Sequence, residues 1–451
     1  MTRPIAALVA LVLLAAACGD DGAPGASPDE PSVTQGDGEQ PDAEPDPQPD
    51  VDGEDAAGTE DEPADLTATD TGVTESAIRV GVVFPDTSVI GRDPGDLEAK
   101  FQVMVDSIND AGGIHGRDLE MTFHGANPLD PLSFDEACVD LVDDVQVFAA
   151  VGLFPLTTAD CYGALNDTIV ISAFDISPDQ MASYTAPGIT VLPHAARLVD
   201  ARVAALVDGG VLSEGMKIAV HGADRAAAAH EQYLTALDAA GIDVVSDTVG
   251  LQTGEDQLAL EAELQTLTEV WQSSDAEAVL ASTPLNSQAL LIAYNNSAID
   301  LPILLPEGPG VSPSLLQDQF GLDLTPFENA TALVEGVDQA TKYETGQDGV
   351  RECVDRFQTA TGEDVALDES RNNLAPTIMA CQVFEIFAQI ATAAGPELTT
   401  ESFAEAAESF GPIEVTDLRA ASTGPDKFDL SDTAGVIAVF NPETVQFEAV
   451  E

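Results

Sequence analysis

Two adjacent hydroxyls, Thr157 and Thr158, follow an apolar strand-like run and open a short helix. Free backbone N–H groups and the positive end of a helix dipole favour an anion such as a carboxylate at such a place, and the hydroxyls add donors. A plain threonine N-cap is the simpler use of the same residues. Glu307, between Pro306 and Gly308, is an acid just beyond another apolar run. As a turn residue it would be solvated; in an enclosed place it would need a cation. Covalent chemistry finds no support, because no Gly-x-Ser-x-Gly elbow, Walker glycine-lysine loop or His-Glu-x-x-His helix occurs. His115, His124, His194, His221 and His230 are scattered along the chain. Neither catalytic residues nor a cofactor is therefore expected. Of the five cysteines, Cys138, Cys161, Cys353 and Cys381 lack the Cys-x-x-Cys or neighbouring-histidine spacing of a zinc site, and no metal is expected. In an oxidising compartment these four allow three disulfide pairings; Cys138 with Cys161 and Cys353 with Cys381 is favoured, each closing a loop of moderate length.

The elements that must position these groups alternate. Strand-like runs fall at Ile78 to Phe84, Leu119 to His124, Val145 to Val151, Thr168 to Phe174, Lys217 to His221, Val244 to Val249, Ala278 to Ala281, Ile303 to Leu305 and Val436 to Phe440. Between them helices are expected at Leu97 to Ala111, Phe134 to Asp143, Ala195 to Asp208, Ala226 to Ala240, Leu258 to Ser273, Gln288 to Ser297, Val350 to Thr361 and Leu374 to Ala394. This is the pattern of parallel sheets covered by helices, and so many units imply two α/β lobes rather than one sheet. Ligands in open α/β sheets sit beyond the carboxyl ends of the strands. The residues to watch are therefore Asp86 and Ser88, Phe154, Thr157 and Thr158, Phe174 and Asp175, Asp224, Thr283 and Glu307. For the phenylalanines core packing is the default.

Composition sets the setting. The 451 residues hold 80 Asp plus Glu against 15 Lys plus Arg, a formal charge of −65, with 44% hydrophobic residues. The length suffices for roughly two or three domains. So acidic a chain is not expected to bind nucleic acid, whose phosphates need Lys and Arg, nor a membrane through a basic patch. A saline medium would fit the charge, as would mere compositional bias. Met1 to Pro4 and an apolar run from Ile5 to Ala17, too short to span a bilayer comfortably, precede Cys18. From Gly19 to about Gly72 the chain is rich in Asp, Glu, Pro and Gly, with no Lys or Arg between Arg3 and Arg79. Such a segment cannot offset its ordering entropy and extends as a tether.

The start resembles a bacterial lipoprotein signal, which implies acylation at Cys18 and a mature chain held on the outer face of the cell membrane. The segment "IRVGVVFPDTS" with "FQVMVDSINDAGGIHGRDLEM", then "VFAAVGLFPLTTA", "TIVISAF", "KIAVHGADRAAAAHEQYLTALDAAGIDVV" and "LPILLPEGPGVSPSLL", resembles type I periplasmic solute-binding proteins of the leucine/isoleucine/valine group. The resemblance implies two doubly wound α/β lobes joined by three hinge crossovers, placed near Pro193, Val337 and Gly424. After the signal (1–18) and tether (19–75), lobe 1 would be 76–193 plus 338–424 and lobe 2 would be 194–337 plus 425–451. It also implies capture of a small amino-acid-like solute for an ABC importer, with Thr157 and Thr158 at a ligand carboxylate and Glu307 at its ammonium. A sensor subunit of the same fold is the alternative. Two departures, Ala223-Asp224-Arg225 in place of a Tyr-Gly and Pro85-Asp86-Thr87-Ser88 as the first loop, keep amides, urea and aromatic acids open. The partners implied are the solute and a membrane permease, with the chain itself a monomer.

Overall fold

The apolar run after residue 76 is nearly continuous because both faces of its sheet are covered. It forms β1 (Ala77–Pro85), flanked by β2 (Asp118–Ala126), β3 (Ala149–Gly152), β4 (Ile169–Ser172) and β5 (Gly188–Thr190) in the order β2-β1-β3-β4-β5, all parallel. A second sheet holds β6 (Lys217–Ala223), β7 (Asp243–Gly250), β8 (Ala278–Ala281), β9 (Ile303–Leu305), β10 (Thr331–Val334), β11 (Val436–Asn441) and β12 (Gln446–Ala449) in the order β12-β11-β10-β9-β8-β6-β7. Its last two strands are antiparallel. The computed structural model describes residues 66–90, 94–130, 132–155, 157–223, 227–250, 266–282, 301–308, 313, 324, 328–334, 339–365, 373–425 and 427–450. Cys18, the acidic segment up to residue 65, Asp224, Thr283, Val337, the helix expected at 288–297 and the first half of that at 258–273 lie outside the described residues.

The helices are α1 (Leu97–Asp110), α2 (Leu132–Val139), α3 (Asp160–Gly163), α4 (Pro178–Ser183), α5 (Val199–Asp208), α6 (Ala227–Ala239), α7 (Gln339–Thr345), α8 (Val350–Thr361), α9 (Leu374–Ala393) and α10 (Thr400–Ser409). Asp96 starts α1 by accepting the Ala99 amide, which satisfies one of the orphan donors of the first turn. The helix ends at the Gly112–Gly113 pair, where Gly113 has φ +68° and a Cβ would meet the Arg117 carbonyl.

Strand alternation divides the first core. Val80 and Val82 join Phe101, Phe384, Phe387 and Phe403 from α1, α9 and α10 on one face, while Val83 and Ala150 join Phe134, Leu141 and Tyr162 on the other. Each such fully buried phenylalanine contributes roughly 2–3 kcal/mol through the apolar surface it removes from water. One described helix, α9, is long and apolar enough to cross a membrane, but it is the packed centre of this core. Cys138–Cys161 ties α2 to α3, and Cys353–Cys381 ties α8 to α9, all beside the first sheet. In the second sheet Ile218, Val220 and Leu280 pack under α5 and α6, and Trp271 fills the opposite face with Val279 and Phe440.

The chain passes between the sheets three times. The first passage follows β5 through residues 191–198 and contains Pro193. The second follows β10 and leads to α7. The third falls between Ser431 and Val436, later than Gly424, because Asp429 and Leu430 still pair with Thr190 of the first sheet. Asp429, just before the third passage, binds to the first, accepting from the His194 amide at 2.7 Å and lying 2.6 Å from the Arg197 guanidinium. Residues 66–76 are fixed at the amino edge of the first sheet, where buried Arg117 donates to the carbonyls of Thr67, Thr74 and Pro396.

Candidate functional site

Both parallel arrays direct their carboxyl ends towards the passages, and there Glu307 follows β9 directly. Its side chain is only 5% exposed. Arg202, from the first turns of α5, reaches Glu307 Oε1 at 2.5 Å, and the Tyr233 hydroxyl of α6 donates to the same oxygen at 2.6 Å. Burial pushes the Glu307 carboxyl up, opposed by Arg202 and Tyr233, and a further push comes from Asp175. Asp175 lies beyond β4 in the first sheet, so the ends of β4 and β9 are within electrostatic reach of one another. Tyr233 is held well above the usual phenol range by burial and by Glu307, and it serves as a neutral donor.

The other expected positions differ in setting. Asp175 and Phe174 are exposed after β4, and Phe174 is 40% exposed. Ser88 is exposed after β1, its amide donating to the Asp86 carboxylate at 2.9 Å. Phe154 instead belongs to the core, edge-on to Tyr162. Thr157 is exposed, but the Thr158 amide and hydroxyl both donate to the Pro155 carbonyl, and α3 behind them has only four residues. At that helix start the Asp160 carboxylate already accepts from Gln180 and Tyr184. An anion would meet a carboxylate there rather than a row of open amides.

A second polar group sits at the ends of β6, β7 and β8. His230 Nδ1 lies 2.8 Å from Ser282 Oγ and its Nε2 lies 2.7 Å from Asp247 Oδ1. The residue types are those of a nucleophilic triad, but Ser282 is wholly buried and also donates to the His221 carbonyl. It is sealed from any substrate in this conformation. His221 meets Thr248 at 2.9 Å, and burial, reinforced by His230, depresses its imidazole to about 4. At the first passage His194 is also lowered, chiefly by burial.

Arg202, Tyr233, Asp429 and the His230–Ser282 pair escaped the sequence reading, since each meets its partner only through the tertiary fold. One signal was available for Arg202. In a chain with 15 Lys plus Arg, a cation among the apolar residues of "VDARVAAL" is out of keeping with a solvated surface.

A search of curated protein sequences returns no match. Among solved structures, a putative branched-chain amino acid ABC transporter protein from Rhodospirillum rubrum aligns at TM-score 0.56 and 17% identity, over 83% of this chain and 100% of that one. An ABC transporter substrate-binding protein from Desulfitobacterium hafniense, in complex with Leu, aligns at TM-score 0.57 and 14% identity over the same shares. A solute-binding protein from R. palustris, in complex with 4-hydroxybenzoate, aligns at TM-score 0.56 and 12% identity, covering 83% and 96%. At these identities the likeness is one of fold. The family described as periplasmic binding protein matches residues 77–434, which hold the first sheet, strands β6 to β10 of the second, the first two passages and the start of the third. By that match, and with the architecture that accompanies it, this chain belongs to the periplasmic binding protein family.

Proposed function

We propose that the protein is the extracytoplasmic solute-binding component of an ABC importer. It captures a small solute of amino-acid size between its two sheets and delivers it unaltered to a membrane permease. Acylation at Cys18 holds it at the outer face of the membrane, and the acidic segment that follows acts as the tether. The observation that carries this reading is the opposition of two sets of strand ends, one bearing Asp175 and the other Glu307, across three passages, the first of which is tied by Asp429 to the segment that enters the third. Strand ends of this kind are where open α/β sheets hold ligands, and a hinge between two bodies lets a solute be enclosed. Membership of the family and the bound solutes of two fold relatives, Leu and 4-hydroxybenzoate, point the same way.

Thermal-shift screening against amino acids, amides, urea and aromatic acids tests it. A true ligand at 100 times its dissociation constant stabilises by roughly 2.7 kcal/mol, which appears as a rise in Tm. If no member of these classes moves the transition, and calorimetry is equally silent, the reading fails.

A further inference from the structure

We infer that Arg202 sets the charge of the solute: by drawing Glu307 into a buried ion pair, it withdraws the acid that would otherwise hold an ammonium group. The cleft then takes acyl solutes without a cationic amine, carboxylates or amides with an apolar body. The inference rests on the solute-capture reading and narrows it.

Three observations carry it. The first is occupancy, since Glu307 Oε1 already takes the guanidinium of Arg202 at 2.5 Å and the hydroxyl of Tyr233 at 2.6 Å. Both members of the ion pair are nearly sealed, with side chains 9% and 5% exposed. An incoming ammonium would have to displace Arg202 and strand a buried charge, or share one negative charge with it at close range in a poorly solvated place. The second is the company of the pair. Tyr233 is neutral, and His194 is held towards its neutral form by burial. Among the described residues Asp175 is the one other acid felt by Glu307, but it is exposed, where water and salt weaken its pull on an amine. The third is the lip of the first sheet, where Val89, Phe174 and Leu192 are each 40–48% exposed beyond β1, β4 and β5 and offer an apolar surface.

The test uses pairs of probes that differ only in the amine, 4-methylpentanoate against leucine and 3-phenylpropanoate against phenylalanine, with the matching amides, titrated calorimetrically into the full chain. The inference predicts that the amine-free member of the better-bound pair binds at least tenfold more tightly. Arg202→Lys keeps that ratio because it keeps the charge, whereas Arg202→Met moves it at least tenfold towards the amine by releasing Glu307. Should Arg202→Met fail to fold, Glu307→Gln serves: it leaves the preference for the amine-free member in place. Equal or tighter binding of the amino member by the unsubstituted protein overturns the inference. If Asp175→Asn then abolishes that preference, Asp175 is the ammonium acceptor and solute capture itself stands. Binding of neither series would instead remove the capture reading, and this inference with it.

Discussion

An acid between proline and glycine can be found by reading along the chain, but its partner cannot. Glu307 was legible because it follows a short apolar strand, whereas Arg202 lies on a helix more than a hundred residues earlier and meets it only when α5 packs beside β9. The pairing changes what substitution should do. Glu307→Gln strands a buried guanidinium and should cost about 3 kcal/mol in urea unfolding, while Arg202→Met together with Glu307→Gln should recover most of it. A neutral Glu307→Gln would show that the pair is solvated. His221 gives a second expectation. Its folded value, about 4, lies below the ordinary 6.5. As pH falls from about 6.5 towards 4, the unfolded chain takes a proton that the folded chain refuses, so this contribution to stability is lost on acidification, on the order of 3 kcal/mol. The difference in unfolding free energy between His221→Gln and the unsubstituted protein should therefore change across that window and be flat above pH 7.5. A constant difference would place His221 in water.

Long elements with a strong pattern were readable, as were short, wholly apolar strands such as β8 and β9, but other short strands were not. The helices expected around Leu97, Val350 and Leu374 stand within a residue or so of α1, α8 and α9, because an apolar face marks each, with a capping Asp96 before α1 and Gly362 after α8. Three strands, β5, β10 and β12, went unseen: they have three or four residues each and draw their stability from sheet neighbours rather than from a local pattern. The helix expected from Phe134 to Asp143 breaks instead into α2 and a π-helical stretch, Asp140–Val145, closed by Gln146 at φ +59°. Leu141 there packs against Gly81, where a Cβ would lie 2.7 Å from its Cδ1. At this scale the disulfides make a prediction. Their sequence separations are 23 and 28 residues, so replacing either cysteine pair by serine should cost about 3–4 kcal/mol in the chain-entropy account, measured by urea unfolding. A much smaller loss for Cys353 and Cys381 would mean that α8 and α9 hold each other by packing alone.

Across the molecule, the periodic alternation of strands and helices made two α/β lobes legible, but the passages between them were located by resemblance and only in part by pattern. The third shows why: the chain just before it is held by isolated bridges, Ala421 with Ser431, Gly424 with Lys427 and Asp429 with Thr190, rather than by a regular element of its own. Asp429 has a mechanical place, since it fixes the His194 amide and Arg197 of the first passage to the chain that enters the third. Asp429→Asn should loosen that joint and lower solute affinity several-fold in calorimetry without touching the Glu307 cluster; an unchanged affinity would make the contact incidental to closure. The start of the body, where Arg117 grips residues 66–76, lies at the amino edge of the first sheet, opposite its carboxyl strand ends. Small-angle scattering of the protein with and without the solute found by thermal shift tests the central claim most directly. Enclosure of the solute between the two sheets predicts a smaller radius of gyration in its presence, and a profile unchanged at saturating solute would contradict it.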